Sequence, residues 1–496
     1  MHPSAHPLWQ PEIQSEVAQY LDNASLAAAS AVCRDWNVVF PCFLYKNADL
    51  DNKTTNNHIS LSNHAKLVRN LNLYLYEKMP ELSPYLFADH DKTNGFVFDQ
   101  LTSLNLKLTE EDSSEPWSAA SLLVRRNSKL ENLQVSDSLS ATFLRAVSES
   151  CPCLKKLSLR NLALDREATE ALVDLCSANT LVSLILDYVT CSNRQAVHAV
   201  IQGSDSPELT QSLKLQVLKF TGSYGVVTLA NQIAWAQRCP QLKTLELYCR
   251  LRRPFPAKLL CEALPTTLCE VNQLRLSSVR LTPDDLAVVL EGFGPGPRIK
   301  YFGLGRNLTG PVSWPPTLWS LLERHKSVLT HLDMKRCPTF SSDAVQLSLA
   351  TFPRLVRLQA GYLIAQDILG NPNEEDEVTR IVPWVCKGLR HLDVHIHGFD
   401  NKPALWNVLV LKQLSTLEVL ETLDIRMFEY SWHDEEYRRN NSLDLRLEAG
   451  LRVLASLTRM KRLDFVPELQ RAGTEELEWM EDAWPEFVPS DEMCTE

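Results

Sequence analysis

Two stretches of this 496-residue chain carry residue types that bind metals or do covalent chemistry. CPCLKKLSL, Cys151 to Leu159, sets two cysteines one residue apart, the donor type used by zinc sites and by thiol–disulfide exchange. LRHLDVHIHGF, Leu389 to Phe399, alternates His391, Asp393, His395 and His397, which on a β-strand would share one face. Same-side neighbours on a strand stand ~6.7 Å apart, so two such histidines meet one ion only in bent geometry, and no cysteine or HExxH companion accompanies them. A polar recognition strand suits that spacing better than a metal centre. The glycine run EGFGPGPRIKYFGLG has Pro295 and Pro297 where a phosphate cradle needs N–H groups, and no Walker lysine follows. With no G-x-S-x-G elbow and no kinase signature set, the chain reads as a non-enzyme with no catalytic residue, no cofactor and no metal.

The cysteine pair is explained by its surroundings. CPQLKTLEL at Cys239–Leu247 has the same frame, and FPRLVRLQA at Phe352–Ala360 keeps all of it except the cysteine. The shared unit is L-x-x-L-x-L, whose alternating half describes a short strand with one buried edge. Its central apolar residue falls at Leu71, Leu104, Leu133, Leu157, Leu184, Leu218, Leu245, Leu274, Phe302, Leu332, Leu358, Leu392, Leu423 and Leu463. The mean step is about 30 residues, near the upper end of the leucine-rich-repeat range. Between the strands the spacing is helical. In LTPDDLAVVLEGF, Thr282 is the expected N-cap, Pro283 the first helical residue and Asp285 a first-turn acid, with Leu286, Val289 and Leu290 on one face. SATFLRAVSES, DREATEALVDLC, NQIAWAQRC and SSDAVQLSLATF repeat the design.

The fold class that follows is α/β, a curved solenoid with parallel strands on its concave side and helices on its convex side. In such a stack Cys151 and Cys239 lie three repeats apart, roughly 15 Å at the usual strand spacing and beyond disulfide reach. Their slot, which Phe352 takes elsewhere, wants an apolar filler, and a free cysteine serves.

Composition narrows the partners. Lys plus Arg is 50 against 61 Asp plus Glu, a net charge of −11, which repels phosphate backbones and excludes nucleic acid. No run reaches the ~20 apolar residues of a membrane helix, and the N-terminus lacks the form of a signal peptide, so a cytosolic or nuclear protein is expected. Thirteen scattered cysteines agree with reduced thiols.

The first fifty residues differ from the rest. Leu8 to Asn47 has helical spacing and no strand pattern: Pro11 suits a helix start, Ile13, Val17, Tyr20 and Leu21 share a face, Ser25 can cap a second helix, and Trp36, Val39 and Phe40 suggest a third. Some forty residues are too few for a self-sufficient core, so the module needs apolar cover from a partner or from the first repeat. PEI at Pro11–Ile13, YLD at Tyr20–Asp22, SL at Ser25–Leu26 and VCRDW at Val32–Trp36 stand in the order and spacing of an F-box, with Gln10 where that motif has leucine and Leu8 two residues earlier.

The chain thus resembles F-box proteins with leucine-rich repeats of the cysteine-containing type. The resemblance implies a substrate-recognition subunit of an SCF (cullin-RING) ubiquitin ligase, which itself does no bond chemistry. The F-box would dock on a Skp-family adaptor, and the repeats would hold an unidentified protein substrate. The adaptor surface it implies comprises Leu8, Pro11, Glu12, Ile13, Val17, Leu21, Leu26, Val32 and Trp36. The alternative from another class is a ligase-independent repeat scaffold whose helices merely cap the solenoid.

On each strand the residues flanking the buried pair point to the open face, the default binding surface of a solenoid. Tyr248, Arg275, His331, Asp333, Arg357, His391, Asp393, His395 and Arg426 are the substrate-binding candidates there, and a solvated face of mixed charge is the plainer reading of the same residues. The expected organisation is a helical module over 1–50, a linker over 51–66, about fourteen repeats over 67–470 and an acidic tail over 471–496. The tail stretch EELEWMEDAWPEFVPSDEMCTE holds nine acids and no base, and reads either as a cap on the last repeat or as a docking tail. NPNEEDE at Asn371–Glu377 and SWHDEEYRRNNS at Ser431–Ser442 read as surface loops.

Overall fold

The computed structural model describes residues 10–50, 64–75, 98–108, 115–178, 180–191, 212–222, 228–248, 255–279, 281–305, 314–337, 340–369, 381–400, 402, 404–426 and 435–489. The chain divides into two units, Met1–Leu242 and Lys243–Glu496. In both, leucine spacing dictates the backbone: each of the fourteen ladder residues is the second residue of a strand. Leu71, Leu104, Leu133, Leu157, Leu184 and Leu218 are successive cross-strand partners in the first unit. Leu245, Leu274, Phe302, Leu332, Leu358, Leu392, Leu423 and Leu463 form the same column in the second. Every pairing is parallel, and every column member is at most 2% exposed. Burying one such side chain stabilises by roughly 1.5–3 kcal/mol, and the column repeats that gain strand after strand. Each unit is therefore a leucine-rich-repeat solenoid.

Helices cover one side of the strands. Ala141–Ser150 packs against both Glu115–Arg126 and Arg166–Ala178, and Pro283–Glu291 sits between Ala257–Ala263 and Pro316–Glu323. The Pro283–Glu291 helix begins as its sequence requires, with a capping box: Asp285 N–H donates to Thr282 Oγ1 at 3.1 Å, and Thr282 N–H donates to Asp285 Oδ2 at 3.0 Å. The opposite face of the strands alternates half-exposed with buried residues, as in Ser103–Leu108 and His391–His397, and so remains open. No described helix is long and apolar enough to cross a membrane.

One clasp ties adjacent repeats of the second unit. Arg298 donates from its guanidinium to the carbonyls of Val271 at 2.9 Å, Leu264 at 3.1 Å and Leu268, satisfying acceptors around the end of the Ala257–Ala263 helix. Its backbone N–H donates to Nδ1 of fully buried His325 at 3.0 Å. Burial, helped by Arg324 and Arg298, lowers His325 to about 4, so the ring stays neutral and accepts that bond.

The ladder starts earlier than leucine spacing indicates. Asn47–Leu50 is a strand, paired in parallel with Asn70–Leu75 so that Ala48 occupies the leucine column. Before it, helices Pro11–Ala18, Asn23–Ser30 and Trp36–Leu44 form the N-terminal module. The second is capped by Asp22, whose Oδ1 accepts from Ser25 N–H at 2.7 Å, so Ser25 lies inside the helix and is not its cap.

Of the two expected surface loops, 371–377 lies outside the described residues, and the described part of the other is no loop. Glu435–Asn441 is helical, and Ser442 makes an antiparallel bridge to His397. Asn441 fixes the junction by accepting from Gly398 N–H through both its carbonyl and its side chain, at 3.0 and 2.8 Å. The acidic tail through residue 489 closes the last repeat. Met480 and Trp484 are buried, Trp484 Nε1 donates to Leu454 O at 3.2 Å, and Lys461 pairs with Glu486 at 3.0 Å.

Candidate functional site

The N-terminal module has a small core of Ala18, Leu26, Ala29 and Phe40, with Leu21, Trp36, Phe43 and Leu44 packed against it. Trp36 and Phe40 meet at 5.0 Å between ring centroids. Leu26, expected on the adaptor surface, is thus core: a module this small spends its central leucine on itself. Pro11, Glu12, Val17 and Val32 are exposed, and Ile13, Leu21 and Trp36 are half-buried. Leu8 lies outside the described residues. Val17 at 39%, Tyr20 at 85%, Val32 at 64% and Val38 at 72% exposure leave the module with uncovered apolar side chains on its first and third helices and in the turns on either side of the second. Val38 escaped the sequence reading because helical periodicity puts it off the face of Trp36, Val39 and Phe40.

The strand-face candidates of the second unit fall into columns. The residue between the two buried ladder positions is Glu246, Arg275, Gly303, Asp333, Gln359, Asp393 and Asp424 in successive strands, then Asp464. Arg275 reaches across Gly303 to Asp333 at 3.1 Å and lies 3.6 Å from Glu246. Gly303 makes room: a Cβ there would stand 3.2 Å from Arg275 Cγ and 3.0 Å from Tyr301 Oη. Tyr301 Oη in turn donates to Asp333 Oδ2 at 3.4 Å, and burial followed by the Asp333 charge pushes the phenol up to about 12.

Further along, Lys335 bridges Asp393 at 2.7 Å and Asp424 at 3.7 Å, and Gln359 Nε2 donates to Asp393 at 3.0 Å. Burial raises the Asp393 carboxyl despite these donors. Burial acts the same way on Asp424, but Arg426, donating at 3.0 and 2.9 Å, and Lys335 outweigh it and hold that carboxyl below its usual value. Arg462 donates to Asp464 at 2.7 Å, and Arg426 lies 3.9 Å from the same acid. Arg275 and Arg426, two of the substrate-binding candidates, are therefore mated within the chain. Asp464, Arg462 and Gly303 escaped the sequence reading; their place in the L-x-L frame was the available signal.

The first residue of each strand forms a second column: Tyr301, His331, Arg357, His391, Thr422 and Arg462. At the far end of the strands, a bulge between Gln359 and Tyr362 brings Tyr362 opposite His395. There His395 and His397 stack at 5.4 Å, Tyr362 lies 5.5 Å from His397, and His395 Nδ1 is 3.5 Å from Ile425 O. Burial and then His397 lower His395 to about 4. Tyr248 ends its strand half-buried.

Among the described residues no group of three His, Cys, Asp or Glu is placed to hold a metal ion. Cys151, Cys176 and Cys239 are buried free thiols, and burial pushes the first two up to about 12 and the third higher still. They serve as fillers.

No family model and no curated protein matches the chain. Among solved structures it is similar to an internalin from Listeria monocytogenes str. 4b F2365, with a TM-score of 0.31 and 14% identity over 79% of this chain and 80% of that one. It is also similar to a chain of the yeast Rad7 and Elc1 complex, with a TM-score of 0.43 and 12% identity over 86% of this chain and 94% of that one.

Proposed function

We propose that this chain is the non-catalytic substrate-recognition subunit of an SCF (cullin-RING) ubiquitin ligase, working in the cytosol or nucleus. The helical module docks on a Skp-family adaptor, and the open strand face holds the protein to be ubiquitinated. The observation that supports the reading most is the module's uncovered apolar surface. Its internal core satisfies Leu26 and Phe40 but leaves Val17, Tyr20, Val32 and Val38 in water, and surface of that kind marks a partner site. Pro11, Glu12 and Ile13, with Leu21 and Trp36 at the margin, complete the proposed contact. The receptor's contribution to the reaction is proximity, holding a substrate lysine beside the charged conjugating enzyme.

Binding of purified Skp-family adaptor to the full chain tests this. The wild type should bind at micromolar concentration or tighter, and Val17→Asp combined with Val32→Asp should weaken binding at least ~100-fold while the thermal transition stays put. An adaptor that ignores the wild-type chain leaves the second reading, a ligase-independent scaffold, in its place.

A further inference from the structure

We propose that the row His331, Arg357 and His391 is the anion-receiving part of the strand face, taking a carboxylate or phosphate group carried by a protein partner. This rests on the reading that the strand face holds a partner.

The row is continuous. His331 and Arg357 are direct cross-strand partners, as are Arg357 and His391, so the three side chains rise from backbones spaced ~4.8 Å apart. Arg357 is exposed, and among the described residues no carboxylate or carbonyl engages it. That separates it from four other cations of the second unit's face. Arg275 is held by Asp333 and Glu246, Lys335 by Asp393 and Asp424, Arg426 by Asp424, and Arg462 by Asp464. An incoming anion would have to displace an internal carboxylate at each of those positions, whereas at Arg357 it displaces only water.

The acids nearest the row do not cancel it. Asp333 and Asp393 lie two residues along the flanking strands and are occupied by Arg275 and by Lys335 with Gln359. Glu421, just before the next strand, is paired with Arg390 at 3.3 Å. Both histidines are lowered by burial and then by Arg357, so at neutral pH the row presents one fixed charge flanked by two neutral rings. Thr330 Oγ1 donates to Lys300 O at 2.9 Å and so accepts from His331 Nδ1–H at 2.9 Å, which orients that ring and leaves Arg357 and His391 as the donors of the row. A guanidinium beside a ring with an N–H to give matches the planar oxygens of a carboxylate or the tetrahedral oxygens of a phosphate. On a chain with a net charge of −11, such a row also gives an acidic partner a place to land.

Three fluorescein-labelled probes, octaglutamate, a phosphoserine-containing peptide of neutral flanks and octalysine, can be titrated with the full chain and followed by anisotropy. One or both anionic probes should bind. Arg357→Gln should weaken that binding by about tenfold and Arg426→Gln by less than about twofold, because only the first cation is free. Which anionic probe binds more tightly identifies the source of the charge. Preference for octalysine would overturn the assignment while leaving a partner-binding strand face standing. Equal binding to the wild type and Arg357→Gln, or no binding of either anionic probe, would also overturn it. Loss of adaptor binding bears on the helical module alone.

Discussion

The open faces of the two units are made on different plans over the same foundation. In the first unit the residue between the buried ladder positions is Asp49, Asn72, Asn105, Gln134, Ser158, Ile185 and Lys219 in turn, mostly short and neutral, with contacts such as Asn72 Nδ2 donating to Asp49 Oδ1. In the second unit the same position is acidic in five strands, and cations reach across one to three strands to meet those acids. Beneath each lies a column of leucines, broken among the described strands by Phe302 in the second unit and by Ala48 at the start of the first. The core specifies the solenoid, and because alternate strand residues face away from it, the face is free to take any chemistry.

The largest effect should be one that the units share. Leu157→Ala in the first and Leu274→Ala in the second each empty a fully buried ladder position and should each cost about 2–5 kcal/mol. Chemical denaturation read by regional hydrogen exchange checks this, and a clearly cheaper loss in either unit would break the equivalence of the two foundations.

Acid should then separate the units. His325 and His395 have folded values of about 4 against an ordinary 6.5, so their contribution is complete above pH ~6.5 and is lost as pH falls from there toward ~4. Each should cost the second unit on the order of 2 kcal/mol at pH 4. Asp393, raised by burial, works in the opposite sense at the acid end of that window. Exchange corrected for its intrinsic pH dependence should therefore show protection in the second unit falling over that window, by more than in the first unit, where no described histidine is lowered in this way. Replacing His325 with Gln should remove about half of the difference.

The charged column should matter less than the core. Asp464, 3% exposed, faces Arg462 and Arg426, and Asp464→Asn should cost about 1–2 kcal/mol. Ser158→Ala at the matching position of the first unit should stay within ~0.5 kcal/mol, measured side by side in urea. Between these two, Gly303→Ala should cost about 1 kcal/mol, because its Cβ presses on the movable Tyr301 and Arg275 side chains. In a double-mutant cycle, the Arg275–Asp333 coupling present in the wild type should vanish in the alanine background.

Sequence disclosed the foundation far better than the faces. All fourteen ladder residues and the Thr282 cap could be read because periodicity and capping are local. The Asn47–Leu50 strand could not, since NADL lacks the L-x-x-L approach and offers alanine to the leucine column. Leu26 was legible as apolar but not as internal, a matter settled by how three short helices close on one another. Arg275 and Arg426 could be placed on the open face, yet Arg275 pairs with acids one and two strands away across the missing side chain at Gly303, and Arg426 pairs with Asp424 two residues before it and lies near Asp464 of the next strand. Apart from the Asp424 contact, such pairing is tertiary. Arg357 looks no different from them in sequence, and what sets it apart is that no carboxylate among the described residues pairs with it.

The Asn47–Leu50 strand carries a practical consequence for anyone trimming the molecule. It is the outermost strand of the first ladder and only four residues long, the brevity by which natural sheets discourage edge-to-edge association. Cutting the chain after residue 50 to remove the helical module would also strip this guard. The six-residue edge of Asn70–Leu75 would then be bare, with its backbone N–H and C=O groups ready to recruit another chain. Truncations intended to test adaptor docking would thus produce polymers whose failure to bind says nothing about docking, whereas point changes at Val17 and Val32 leave the sheet edge closed.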